Sequence, residues 1–234
     1  ISLENDTLAV GAQADPSSQN TITNSSDDAS TDTSRVGAGA VFVYTRSGTD
    51  WSQQAYIKAS NTGGSSTDDQ LGRSVALSGD TIVAGANKED TGDYYASNDT
   101  GAAYVFTRSG TAWSEQTILR ASNSDDDDQF GNVVDIDNNT IVVWAEREAS
   151  NQTTITNGTS SSTDNSMASA GAVYVYTRSG TTWSQQAYIK ASNMDAGDWF
   201  GSSMSIDGDT LAVSSIGDDA NQNTITNGTS SSTD

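Results

Sequence analysis

The sequence predicts an all-β fold of tandem four-stranded antiparallel meander units, three and a half of them, forming an open array rather than a closed ring. Three observations predict it: a fixed internal period, short β-rich runs that alternate with tight-turn dipeptides, and the lack of any sustained helical periodicity. The period is direct to read. GAVFVYTRSGTDWSQQAYIKASN at 39–61 recurs as GAAYVFTRSGTAWSEQTILRASN at 101–123 and as GAVYVYTRSGTTWSQQAYIKASN at 171–193. A second module, ISLENDTLAVGA at 1–12, recurs at 75–86, 134–145 and 204–215. The chain divides accordingly into a half unit at 1–12, a unit at 13–86 with a long loop at 13–38, units at 87–145 and 146–215, and an inter-strand loop at 216–234 that leads to a missing or partner strand.

Each unit supplies its strands in the same order. Strand one sets Val75 and Leu77, or Val134 and Ile136, on one face. Strand two is the run from Thr81 to Ala86 and its copies. Between them stand Asn5-Asp6, Gly79-Asp80, Asn138-Asn139 and Gly208-Asp209, residue types that tolerate the positive φ of a two-residue hairpin. Strand three, Val41 to Thr45, is apolar on both faces, as suits a strand covered on both sides. Strand four starts at Trp51, Trp113 or Trp183 after a Ser-Gly turn, and one Trp per unit at a fixed position reads as packing between units before it reads as a sugar platform. Arg46, Arg108 and Arg178 recur in the same turn, placed to pair with an acid of the next unit or to stand solvated. A segment Gln-x-Thr-Ile-Thr-Asn recurs around Ile22, Ile155 and Ile225. It is long for a structureless connection, so it is either disordered or an extra strand against a neighbour.

Composition removes whole classes of chemistry. With no His and no Cys there is no imidazole or thiolate metal site, no Ser-His-Asp or Cys-His nucleophile pair and no disulfide. Asp and Glu number 31 against 10 Lys and Arg, a net charge of −21 that repels nucleic-acid phosphates and anionic lipid. The longest apolar runs, such as Ala40 to Tyr44, fall far short of the ~20 residues that span a bilayer, so no membrane insertion is expected. Neither a secretion signal nor a natural start is visible, which reads as a mature or excised piece.

Two motifs carry a family likeness. Asp128-Gln129-Phe130-Gly131 and Asp198-Trp199-Phe200-Gly201 lead into strand one, with Leu71 in place of Phe in the earlier copy, and Val83-Ala84-Gly85-Ala86 closes strand two. In these motifs the chain resembles the FG-GAP repeats of integrin-type β-propellers, in the form found in bacterial surface proteins. The resemblance implies β-propeller-like blades. It also sets two departures in relief: such propellers close with about seven blades, more than this chain supplies, and the integrin-type calcium loop D-x-D-x-D-G is replaced by a tight turn.

In a meander the turns one–two and three–four emerge at one edge and the long loops at the other. Most of the acids fall in the long loops, which makes one edge a carboxylate band. Asp15, Glu89, Glu148 and Asp218 follow strand two by three residues in every copy, and Asp69, Asp128 and Asp198 precede the Phe or Leu of the FG turn by two. Asp90, Asp125, Asp127, Asp195 and Asp219 stand beside them, and Asn61, Asn123 and Asn193 recur nearby. Ca²⁺ takes six to eight oxygens in flexible geometry, and oxygen ligands are what these loops offer, so these twelve acids are the candidate metal ligands and Ca²⁺ the expected cofactor. The plain alternative is that Asp, Asn, Ser and Thr are ordinary turn residues and that a run such as Asp125 to Asp128 is solvated.

Function follows the repetition. Catalysis needs one pocket with unequal environments, whereas these acids recur in every unit, and no phosphate loop, nucleophile elbow or dinucleotide fingerprint is present; the expectation is no enzyme. The expected function is an extracellular, calcium-binding structural or adhesive repeat protein on the cell surface. Its partners are other copies of itself, joined head to tail or in a long tandem array, with Ca²⁺ bridging the acidic loops of neighbouring units. Glycans are a further class of partner, and sequons stand at Asn5, Asn24, Asn98, Asn138, Asn151, Asn157 and Asn227. The alternative is a fragment of a closed seven-bladed propeller that binds a protein or glycan through its loop face.

Overall fold

A computed structural model describes residues 1–25, 32–61, 68–90 and 98–220. Asp27, Asp28, Asp93, Asp234, the Ile225 copy of the polar segment and the sequon at Asn227 lie outside the described residues. Within them the chain forms β1 (Ser2–Glu4), β2 (Thr7–Ala12), β3 (Ala40–Ser47), β4 (Asp50–Ile57), β5 (Val75–Ser78), β6 (Thr81–Ala86), β7 (Ala102–Ser109), β8 (Ala112–Leu119), β9 (Phe130–Asp137), β10 (Thr140–Ala145), β11 (Thr156–Asn157), β12 (Ala172–Ser179), β13 (Thr182–Ile189), β14 (Phe200–Asp207) and β15 (Thr210–Ser215). No helix among the described residues is long and apolar enough to cross a membrane.

The strands assemble as three antiparallel blades and a half blade: β1-β2-β3-β4, β5-β6-β7-β8, β9-β10-β12-β13 with β11 on its outer edge, and β14-β15. The hydrogen-bonded blade is thus offset from the sequence unit, because the long loop between strands two and three lies within one sheet. Each hairpin between strands one and two turns on a single positive-φ residue, Asn5, Gly79, Asn138 or Gly208. Only the first residue of each dipeptide takes that conformation, and Gly or Asn is the residue that adopts it at least cost. The polar segment resolves as an added strand: Thr23 exchanges two backbone hydrogen bonds with Tyr56 at 2.9 Å, and β11 pairs with β13 through Thr156 and Tyr188.

The apolar cores lie between blades rather than within them, and period-two alternation explains why. In β6, Ile82 and Ala84 point back into a cluster with Ala9, Val43, Ala55 and Ile57 of the first blade. Val83, between them, points forward into a second cluster with Val143, Tyr174 and Tyr176 of the third blade. Large side chains, Tyr104, Phe106 and Trp113, always face the preceding blade, while small ones, Ala103 and Val105, face the next. Adjacent sheets are thereby keyed together, large against small. A third, smaller cluster joins Val142, Val173, Val175 and Ala187 to the half blade.

Candidate functional site

The feature that recurs at every step of the chain is the junction between consecutive blades, and it is built from three sets of side chains. At the inner strands, side chains of one blade accept hydrogen bonds from backbone N–H groups of the next. Leu77 N donates to Ser2 Oγ at 3.0 Å and Gly79 N to Glu4. Val134 N and Asn138 N donate to Ser74 and Ser78 at 3.1 and 3.0 Å, and Ile206 N and Gly208 N to Asp135 and Asp137 at 2.9 and 2.8 Å. Two backbone N–H groups along strand one and its turn in the second, third and half blades are thereby satisfied by the preceding blade.

At the short-turn edge the recurring Arg and Trp act together. Arg108 bonds Asp80 in the β5–β6 turn of its own blade, where the sequence left open an acid of the next unit or solvent, and its guanidinium reaches back to Thr7 and Gln54 of the preceding blade at 3.2 Å. Arg178 likewise bonds Asn139 and reaches back to Thr81 at 3.0 Å. The guanidiniums of Arg46, Arg108 and Arg178 lie 5.6, 5.2 and 5.0 Å from the ring centres of Trp51, Trp113 and Trp183. Trp113 donates its indole N–H to Gln54, and Trp183 to Gln116, both at 2.8 Å. The Gln is in place because strands three and four slip register at the same point in each blade. Val43 faces Ala55 and Tyr44 faces Gln53, which skips Gln54; Gln116 and Gln186 are skipped in the same way. Such a bulge turns one side chain out of the ladder, here toward the next blade. Trp113, packed on the first blade, is buried, whereas its counterpart Trp51 in the first blade is 44 % exposed.

At the long-loop edge stand the recurring acids, and each has partners within the protein. Asp15 accepts from the Tyr56 hydroxyl at 2.7 Å and the Lys58 ammonium at 3.2 Å. Glu148 accepts from Tyr188 at 2.7 Å, Lys190 at 2.6 Å, the Ser150 N–H at 3.2 Å and Asn123 at 3.0 Å. Glu89 is held by both prongs of Arg120 and by Asn61 at 2.8 Å. The second blade has Ile118 where the others have Tyr56 and Tyr188, and there the cation is Arg, so its two-pronged fork stands in for ammonium plus hydroxyl. Asn61, Asn123 and Asn193 reach from the end of one blade to the acid of the next, Asn193 bonding Asp218 at 3.0 Å. The Tyr104 and Tyr174 hydroxyls fix the first two amides from the other side. Lys190 and Glu148 are fully buried together, and burial presses the Lys190 ammonium down while Glu148 opposes it.

The other candidate ligands serve the loops. Asp128 and Asp198 are buried and each accepts a backbone N–H at 2.8 Å, from Asp125 and Asp195. Burial, helped by Glu148, pushes Asp128 up to about 7 against the Asp125 N–H, and burial with the charges of Asp218, Asp195 and Asp219 raises Asp198. Asp90 accepts from the N–H groups of Asn98 and Asp99 at 2.8 and 2.9 Å. Asp125 bonds Asn165 and the Asp126 N–H, Asp127 lies 4.0 Å from Arg147, Asp69 is half-buried, and Asp195 and Asp219 are exposed. Among the described residues no three acids gather where one ion would touch them all. The pairing of acid and cation was missed in the sequence, although a signal was present: of only 10 basic residues, three stand seven residues after the unit's Trp.

One junction departs from the pattern. A Cβ on Gly11 or Gly85 would overlap the carbonyl oxygen of Gly72 or Gly131 in the next blade, so the backbones touch there. The third blade carries Trp144 at that position, and its indole lies against Gly201 with the ring N–H buried and unpartnered among the described residues.

Open antiparallel blades keyed face to face, with donors and acceptors repeated at each step, define a propeller-type repeat protein. The FG-GAP repeat model matches at residues 51–106, 113–176 and 183–230, and the chain belongs to that family. No curated protein matches it.

Proposed function

We propose that this chain is a structural segment of an extracellular, cell-surface array, and that its activity is to bind further blades of its own kind. The observation that carries the reading is the repetition of one kind of junction between consecutive blades, with backbone-to-side-chain bonds at all three steps and the arginine–tryptophan set at two. The first blade exposes Ile1, Leu3 and Trp51, whose counterparts Val75, Leu77 and Trp113 are buried in the second. The half blade exposes Ser205 and Asp207, which stand where Ser2, Glu4, Asp135 and Asp137 accept from the next blade. The high negative charge supports display in a solvated setting and opposes non-specific collapse.

Calcium has a narrower place in this proposal than the acid count suggests. Asp15, Glu89 and Glu148 spend their oxygens on Lys58, Arg120 and Lys190, so they do not fit a calcium ligand set. Among the described residues the remaining loop acids suit calcium as a diffuse neutraliser, drawn toward Asp125 to Asp128 and toward Asp195, Asp198, Asp218 and Asp219. The function is tested by sedimentation velocity over a hundredfold range of concentration. Assembly into a growing series of elongated oligomers is expected; a compact particle of fixed size at every concentration would overturn the reading and favour a closed binding module.

A further inference from the structure

Glu148 stands at the seam between the second and third blades, and its two oxygens hold two groups that can react with each other. Oε2 accepts from the Lys190 ammonium at 2.6 Å, and Oε1 accepts from the side-chain amide of Asn123 at 3.0 Å. Lys190 directly follows β13 of the third blade, whereas Asn123 lies between β8 of the second blade and β9. Tyr188 and the Ser150 N–H fix the carboxylate itself at 2.7 and 3.2 Å. The Lys190 and Glu148 side chains are cut off from water, at 0 and 1 % exposure. Burial presses the Lys190 ammonium down toward the neutral amine, which is a nucleophile. The amide is held at both ends. Its Oδ1 accepts from the Tyr174 hydroxyl, which polarises the carbonyl as an oxyanion donor does, and its Nδ2 also donates to the Ser162 carbonyl at 2.6 Å.

Two other acids gather similar sets, and each lacks one part. Glu89 holds the Asn61 amide at 2.8 Å, and Tyr104 holds that amide's oxygen at 2.7 Å, but the cation there is Arg120, which does not give up its proton. Asp68 takes Lys88 and the Gln70 amide at 3.2 and 3.1 Å on a single oxygen, with both charges open to solvent, where an ammonium stays protonated.

We propose that Lys190 and Asn123 become joined by an amide bond, formed within the folded chain with Glu148 as the proton carrier, so that the second and third blades are linked covalently. Glu148 accepts a proton from Nζ, and the freed lone pair crosses from Oε2 to the amide carbon held at Oε1 and bonds to Cγ. The Tyr174 hydroxyl holds the negative charge that gathers on Oδ1. Glu148 returns the proton to Nδ2, the Cγ–Nδ2 bond breaks, and a second proton leaves Nζ through the same carboxylate for the departing ammonia. One ammonium and one primary amide thus become a secondary amide and a free ammonium ion, with Glu148 restored and no oxidant or further reactant needed. Because one carboxylate binds both groups, the encounter is intramolecular. Asn123 is half-buried, which leaves the ammonia a way out. The bond turns a seam of reversible contacts into one that cannot open without breaking the chain's covalent structure, whether or not separate chains assemble.

The test is the intact mass of the full chain under denaturing conditions. The wild type is expected to be lighter than its sequence by one ammonia, and tryptic digestion to yield a branched peptide joining Asn123 to Lys190 with no cleavage after Lys190. Lys190→Arg keeps the cation, as Arg120 does beside Glu89, and is expected to fold cooperatively at the full sequence mass. Tyr174→Phe keeps the ring, and in freshly synthesised chain the lighter species is expected to appear about a hundredfold more slowly. A wild type of unreduced mass, or the same loss in Lys190→Arg, would overturn the cross-link. An unchanged rate in Tyr174→Phe would overturn the part given to its hydroxyl.

Discussion

Glu148 shows how much of a junction one side chain can hold. It takes four donors from three stretches of chain, Lys190 and Tyr188 from its own blade, Ser150 from the adjoining loop and Asn123 from the blade before. Taking the charge from one member of a buried pair strands the other, at a cost of about 3–5 kcal/mol. Glu148→Gln should therefore lower the unfolding free energy in urea by roughly that amount, and adding Lys190→Met should recover part of the loss. Asp128 carries the opposite sign. Its carboxyl is raised by burial to about 7, so the folded state holds the proton more tightly than the unfolded one does. The stability it contributes is complete below the unfolded value near 3.8 and is lost as pH rises through about 7. Asp128→Asn should raise the melting temperature at pH 8 relative to the wild type, with the gain shrinking toward pH 4. These residues were half legible: the recurrence of the acids was plain, but the Asn, Tyr and basic partners of Asp15, Glu89 and Glu148 lie 25 to 43 residues away and come together only when the sheet forms.

At the scale of strands and turns the sequence was most informative. Period-two alternation, the Asn-Asp and Gly-Asp turns and the paired apolar faces of strand three all appear as read, because each is dictated locally by backbone sterics and burial. The bulge at Gln54, Gln116 and Gln186 was not legible, since Ser-Gln-Gln-Ala continues a polar–apolar pattern without marking the slip. It is defined by what the next blade brings, a Trp N–H that needs an acceptor. The touching backbones at Gly85 and Gly131 give a sharp test of blade spacing. Because a Cβ there meets rigid backbone rather than a movable side chain, Gly85→Ala should destabilise the chain by about 3 kcal/mol or more in urea unfolding. The same change at the exposed turn residue Gly110, where a Cβ meets nothing, should cost about 1 kcal/mol, the strain of its positive φ.

For the whole molecule, charge is the governing quantity. A net −21 pointed to a carboxylate band along one edge, and the structure places Lys58, Arg120 and Lys190 against Asp15, Glu89 and Glu148, the acids nearest the blade seams. Three of the ten cations stand where burial makes an acid's charge most expensive, and acids such as Asp126, Asp195, Asp218 and Asp219 are left toward solvent, where repulsion is screened. The measurement that tests this most directly is thermal unfolding followed by circular dichroism in EGTA, in millimolar calcium, and in sodium chloride of matched ionic strength. The predicted result is a cooperatively folded protein in EGTA, with calcium raising the midpoint no further than sodium does. A chain that is unfolded in EGTA, or that gains ten degrees or more from calcium alone, would contradict it.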